Sequence, residues 1–400
     1  MDIPLNMTNN INKNNIKSNS LFQTKEISNL FIPYINNTNY PSRSSFGKSF
    51  VNGVKHWWYP SKIIQDSYDN DKLMILDLEF GNICGLRCEY CFRSNDERDL
   101  THRDDLNLAQ WENLIDQASD MGVKGVKLIG AGEFFEDRRF MDAFSYLTDK
   151  GLKAVLFTGG NILDDEEKMR RLHGMGSEEI IDYLFQNDHT IFIKGDSFRE
   201  SVMDKLVKKS GFTQSRNKVL ERLIQKGFTN ETPTRLGLEV QVNKYTLPEL
   251  LDIDKLKHHL NIYSDMVTSM PCGLYDLKKA NGTSIDISMK EKKELYQKIY
   301  EQNIKFGIPF EEASPFIGGL SCSQLGNGLY INVIGNVYSC PGYFDKIGNV
   351  KETSLKQIWK SHINRRKFQD KGYICPPREN SGITPTNLYS SINKKLISKK

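Results

Sequence analysis

The reading turns on residues 73–91, Leu-Met-Ile-Leu-Asp-Leu-Glu-Phe-Gly-Asn-Ile-Cys-Gly-Leu-Arg-Cys-Glu-Tyr-Cys. Positions 73–78 form a short apolar run of β type. It delivers the chain into a loop carrying three thiols, Cys84, Cys88 and Cys91. Three thiolates this close, directly after a strand, can wrap a cuboidal iron–sulfur cluster corner by corner. A four-iron cluster normally takes four thiolates, so a local count of three leaves one iron open to a substrate or cofactor. A ferredoxin-type run has other spacings and a closing Cys-Pro, both missing here. A structural zinc site is the competitor. It needs a fourth ligand, with His102 the nearest His, and usually shows paired Cys-x-x-Cys knuckles.

Outward from that loop, short β-like runs alternate with longer helical ones. Further strands are expected at 123–129, 154–157, 190–193, 236–242 and 262–267. Asn107 reads as an N-cap ahead of a stripe of Trp111, Leu114, Ile115 and Ala118. A second helix follows through Phe140, Phe144 and Leu147, and others near 213–227 and 247–259. Gly174 and Gly176 divide the 161–189 connection into two helices, and Ser288 with Glu291 forms a capping box for a helix reaching about Phe306. Six βα units in a row imply an α/β fold with a parallel sheet, curled into an open, partial (β/α)6 barrel over 72–312. From about 313 to 376 the pattern changes to turns, a hairpin at Gly335-Asn336 and a helix from Ser354 to Phe368, a small α+β second domain. Residues 1–71 read as a polar lead-in, with 1–45 mobile or loosely packed and the packed fold beginning at His56–Pro60. Residues 377–400 read as a tail.

Composition bounds the function classes. Four hundred residues at 38% hydrophobic content can bury the cores of about two domains. A net charge of +4, well mixed, gives no support for a nucleic-acid partner. No apolar run is long enough to cross a bilayer or to act as a signal peptide, so a cytoplasmic chain with no membrane partner is expected. Seven cysteines, three of them crowded together, point in a reducing compartment to metal ligation or catalysis rather than disulfides.

The motif C-x3-C-x2-C with an aromatic before its last Cys resembles the signature of the radical S-adenosylmethionine (SAM) superfamily. The resemblance implies a [4Fe-4S] cluster on Cys84, Cys88 and Cys91 whose open iron chelates the amino and carboxylate groups of SAM. One electron then breaks the S–C5′ bond, and the 5′-deoxyadenosyl radical takes hydrogen from the substrate. Tyr90 fills the aromatic position beside the adenine. In parallel βα folds chemistry collects at the C-terminal ends of strands, where further likenesses fall. Gly130-Ala131-Gly132-Glu133 resembles the family's GGE motif for the SAM amino group, with Phe134 where Pro usually follows. Thr158-Gly159-Gly160 is similar to its Thr-Asn-Gly. Lys194-Gly195-Asp196-Ser197 is similar to the strand end whose Ser contacts the SAM ribose or carboxylate, and Asn243 stands where another SAM-binding side chain is common.

A second set reads Cys322-x12-Gly335-x4-Cys340, then Ile347-Gly-Asn-Val350, Ile358-Trp359 and Cys375. It resembles the SPASM/twitch extension of radical SAM enzymes. The later cysteines of a full SPASM domain are missing, which implies the twitch form with one auxiliary [4Fe-4S] or [2Fe-2S] cluster on Cys322, Cys340 and Cys375. Position 378 is Arg, so the fourth ligand stays open. Cys272 has three readings: a buried small hydrophobe, that fourth ligand, or a catalytic hydrogen-atom donor. The implied partners are a peptide or small-molecule substrate and a flavodoxin- or ferredoxin-type reductant. The alternative from another class is a non-catalytic zinc or iron–sulfur protein whose cysteines staple the fold.

Overall fold

The computed structural model describes residues 21–93, 104–270, 272–274, 278–279, 281–308, 323–342 and 345–362. Cys322, Cys375 and the expected tail lie outside them. Six parallel strands, β1 (Ile75–Glu79), β2 (Gly125–Ile129), β3 (Ala154–Thr158), β4 (Thr190–Lys194), β5 (Leu236–Gln241) and β6 (Tyr263–Val267), pair in sequence order. Their positions are almost all buried, as expected of a parallel sheet covered on both faces. No pairing among the described strands closes β6 onto the opposite edge, so the expected partial barrel is open.

The helices between strands form where the sequence expects them. In α4 (Leu108–Asp120), Asn107 Oδ1 accepts the Gln110 N–H at 2.9 Å and Gln110 Oε1 accepts the Asn107 N–H at 3.0 Å. Trp111, Leu114, Ile115 and Ala118 are then buried on one stripe. The α5 helix (Phe140–Asp149) follows β2, and α6 (Glu166–His173) and α7 (Ser177–Gln186) fill the long connection before β4. Between β4 and β5 the sequence reading has one helix where the structure has two, α8 (Glu200–Val207) and α9 (Phe212–Lys226). α10 (Leu250–His259) precedes β6, and the capped helix Met289–Lys305 follows it.

Three further differences from the sequence reading matter. Among the described residues packing reaches back to Phe22 rather than starting at His56: the chain forms α1 (Lys25–Ile35), the short α2 (Arg43–Phe46) and α3 (Ser61–Asp69), and in α1 Ile27 and Phe31 are fully buried. Phe31 meets Phe198 edge to face at 5.2 Å, and the N–H groups of Gln23 and Thr24 donate to Asp252 of α10 at 2.7 Å. An apolar i,i+4 pair inside an Asn-rich stretch is easily hidden by its polar neighbours. Next, the C-terminal hairpin is continuous with the main sheet. Strand β7 (Gly328–Ile331) lies parallel to β1, Ile75 opposite Gly328, and β8 (Asn336–Tyr338) and β9 (Gly348–Asn349) add on antiparallel. Gly335 turns the hairpin at φ 86°. Finally, the last described helix, Leu355–Ser361, stops at His362, short of Phe368.

Residues 54–57 close the N-terminal end of the barrel. Val54 joins Val155 and Phe192, and the Trp57 ring meets Phe157 at 5.6 Å and Phe192 at 5.5 Å. That aromatic floor leaves the space above it, toward the strand ends, as a cavity.

Candidate active site

The cysteine loop is held at four backbone points. Ile83 O accepts the N–H of Glu133 at 2.8 Å, tying it to the loop after β2. The N–H groups of Arg87 and Glu89 donate to Val207 O and Leu206 O at 2.9 Å, and Cys91 O accepts the N–H of Leu274 at 3.0 Å. Leu86 packs among Met203, Val207 and Phe212. Helix α8, missing from the sequence reading, is thus the bracket on which the loop rests.

A cavity of about 280 Å³ opens beside it. Its wall gathers Cys84, Cys88 and Cys91 with Tyr90, Gly130, Ala131, Gly132, Glu133, Thr158 and, from the C-terminal hairpin, Cys340. The fit of a cluster can be tested on the donor set. Burial pushes the Cys88 thiol up to about 12, with the Lys194 ammonium pulling the other way. Thiols in such a place become thiolates against a strong cation, which cluster irons supply. Among the described residues no three His, Cys, Asp or Glu side chains converge on a single ion position. Cys340, 9% exposed, accepts the Gly342 N–H on its sulfur at 3.3 Å, the kind of contact that tunes cluster thiolates.

Glu133 is buried, and burial raises its carboxyl to about 7 although Gly159 N–H (2.8 Å) and the Thr158 hydroxyl (2.8 Å) both donate to it. An ammonium is the partner such a group lacks. Gln241 also lines the cavity, and its buried Oε1 has no hydrogen-bond donor among the described residues. Tyr90 is buried, and its hydroxyl donates to Asp196, whose other oxygen accepts the Gln241 N–H at 2.8 Å. The residues present fit both a cluster and a zwitterionic ligand with a polar base.

Ser197 and Asn243 are placed elsewhere. Ser197 is fully buried, donates to Glu249 at 2.5 Å and accepts the Arg199 N–H at 3.1 Å. Asn243 turns on itself: Oδ1 takes the Tyr245 N–H at 2.9 Å and Nδ2 gives to Gln241 O at 3.2 Å. Neither lines the cavity, and neither does Cys272, which is 8% exposed. Its neighbour Gly273, at φ 60°, lies so near the Phe92 backbone that a Cβ would meet Phe92 O at 2.1 Å. This segment buttresses the cysteine loop.

The wall also holds Lys194, which opens the Lys194–Ser197 motif, and charged groups the motifs do not include: Asp77, Lys127, Glu239 and Asp265. Lys127 pairs with Asp77 at 2.7 Å, opposite it in register, and Glu239 lies opposite Asp265. The available signal was charge at alternate positions inside otherwise apolar strands, which faces it into the barrel.

Residues 78–256 match the model of the radical SAM superfamily, and residues 322–378 that of SPASM, an iron–sulfur cluster-binding domain. The chain therefore carries a radical SAM domain with a SPASM domain C-terminal to it. It is 30% identical over 88 residues to the S-adenosylmethionine-dependent nucleotide dehydratase of Selenomonas ruminantium, covering 22% of this chain and 30% of that protein. Against the Fe-coproporphyrin III synthase of Methanosarcina barkeri it is 26% identical over 107 residues, 27% of this chain and 26% of that one. The chain thus spans less than a third of these curated relatives. SuiB of Streptococcus suis bound to S-adenosylmethionine superposes with a TM-score of 0.51 at 14% identity, over 78% of this chain and 70% of that one. Native anSMEcpe with bound AdoMet gives 0.51 at 14%, over 75% and 84%. At such identities the likeness is one of fold. No described helix is long and apolar enough to cross a membrane.

Proposed function

We propose that the enzyme reductively cleaves SAM and uses the radical formed to take a hydrogen atom from a peptide or small-molecule substrate. Cys84, Cys88 and Cys91 hold the [4Fe-4S] cluster, Glu133 takes the SAM ammonium, and Tyr90, Gly130–Gly132 and Thr158 shape the rest of its seat. The observation that carries this reading is the single cavity on which the three thiols and the Gly130–Glu133 loop both open. When bound, the cluster and SAM supply the one-electron cleavage that yields a 5′-deoxyadenosyl radical. The protein excludes water with the aromatic floor of Trp57 and Phe157 and fixes the loop that presents the thiols. An auxiliary [4Fe-4S] or [2Fe-2S] cluster on Cys322, Cys340 and Cys375 serves oxidation or substrate binding, and Cys340 on the cavity wall supports that assignment. The reductant is a flavodoxin- or ferredoxin-type protein and the compartment the cytoplasm. For the substrate, SuiB has also been solved with its precursor peptide SuiA, a precedent for a peptide in this fold, at 14% identity and a TM-score of 0.51. The test is anaerobic reconstitution and reduction of the full chain with SAM. Formation of 5′-deoxyadenosine is expected, and its absence in cluster-loaded protein would reject the proposal.

Glu133 gives this seat a pH dependence. Its folded pKa of about 7 lies above the ordinary carboxyl value of 4.5, so ligand-free protein holds the proton up to about pH 7. Stability from the neutral carboxyl is full below the ordinary value and is lost as pH rises through 7. Binding an ammonium needs the ionised form, so SAM affinity should improve by up to about tenfold per pH unit below 7 and level off above it. Calorimetry in buffers of different ionisation enthalpy should show proton release at pH 6, and none in Glu133→Gln. A flat affinity from pH 6 to 8 would remove Glu133 from this role.

A further inference from the structure

Lys194 opens the Lys194–Ser197 strand end but is given no role of its own there, and its side chain lies on the wall of the site. It ends β4, with its carbonyl gripped by the buried Arg216 at 2.6 Å, so its backbone cannot shift. Its ammonium lies over the ring of Tyr90, 5.0 Å from the centroid and 3.3 Å from the hydroxyl. Tyr90 sits between Cys88 and Cys91 in sequence and is anchored by its bond to Asp196. The Lys194 side chain is 13% exposed, and the nearest carboxylate oxygen in its ion pair, on Glu239, is 3.8 Å away, beyond hydrogen-bond reach. A desolvated ammonium with a loose counter-charge therefore shares the cavity wall with all three thiols.

We propose that Lys194 is a positioning residue for electron entry, a fixed positive charge that raises the potential at which a cluster on Cys84, Cys88 and Cys91 accepts its electron. The inference rests on the cluster assignment above. Reduction adds one negative charge to a body already surrounded by thiolates. A cation held nearby, where water screens little, stabilises the reduced form more than the oxidised one. Glu239, across from Lys194 in register, opposes it. The two residues thus form a pair whose members shift the cluster in opposite directions.

The experiment is an EPR-monitored redox titration of the anaerobically reconstituted full chain without SAM, with iron and sulfide counted per chain. The relevant cluster is identified as the one whose signal changes when SAM is added afterwards. Lys194→Met is expected to move its midpoint to a more negative potential, Glu239→Gln to a more positive one, and Lys194→Arg to leave it near wild type. A packing role would not give shifts of opposite sign. An unchanged midpoint in Lys194→Met, or shifts of the same sign in the two neutral variants, overturns the proposal. If Lys194→Met takes up less than a full cluster, Lys194→Gln carries the comparison under the same criteria. A wild-type chain that binds no cluster through Cys84, Cys88 and Cys91 would instead reject the cluster assignment, so the two failures are distinct.

Discussion

Cys88→Ala is expected to bring 5′-deoxyadenosine formation to zero while leaving the fold standing. Cys88 lies between the two loop-to-α8 bonds, Arg87 N–H to Val207 O and Glu89 N–H to Leu206 O, and both are made by backbone atoms that the substitution keeps. Leu86, buried among Met203, Val207 and Phe212, anchors the same turn independently of the sulfur. Two thiolates remain after the change, too few to retain a four-iron cluster firmly. Iron and sulfide should fall by the share of that cluster, and thermal unfolding of the metal-free protein should stay close to wild type. Cys340→Ala is the contrast: it should lower iron content through the auxiliary site yet keep SAM cleavage. If Cys88→Ala still cleaves SAM at a normal rate, the three-thiol loop is not the reactive cluster's home.

Gly132→Ala should weaken SAM binding nearly as severely, by geometry rather than lost ligation. A Cβ at position 132 would stand 2.3 Å from Ile83 O and 2.7 Å from Asn82 C, both backbone atoms of the cysteine loop. One methyl group must therefore push the Gly130–Glu133 loop away from the thiols and stretch the Glu133 N–H bond to Ile83 O. Overpacking of this kind costs about 1–3 kcal/mol in stability. Displacing Glu133 from its ammonium partner should weaken SAM roughly 10- to 100-fold, about 1.4–2.8 kcal/mol. Gly85→Ala is the matched control. Its Cβ would meet just the end of the Glu136 side chain, at 3.1 Å, which can swing aside. Equal SAM affinities in the two variants would show that the close approach of the loops has no bearing on binding.

Much of this architecture is readable in the sequence because the signals are local. The six strands are apolar runs, and Asn107 and Ser288 announce their helices through reciprocal caps. What escapes reading depends on the third dimension. Ser197 and Asn243 have the right residue types at strand ends, but whether such a side chain faces a ligand or closes its own turn is decided by backbone geometry. Lys127, Glu239 and Asp265 look like polar interruptions of strands until the sheet curls and turns them toward one cavity. Helix α8 has an ordinary sequence, and its importance lies in two carbonyls, Leu206 O and Val207 O, that no side-chain pattern reports. The place of β7 beside β1 is a pairing across 253 positions, 75 to 328, and no periodicity records it.

That last pairing bears on how the protein is made. Strand β1 is the first of the sheet to leave the ribosome, and one of its two neighbours is among the last. At synthesis rates of roughly 5–20 residues per second, its far edge waits about 13–50 s for β7. Throughout that interval a buried-type strand, Ile-Leu-Asp-Leu-Glu, presents open backbone groups, the template on which chains join to one another. Asp77 and Glu79 place two carboxylates on that strand, charge of the kind that discourages such joining. Asp77, a charge on the wall of the finished cavity, would thus also guard the unfinished chain.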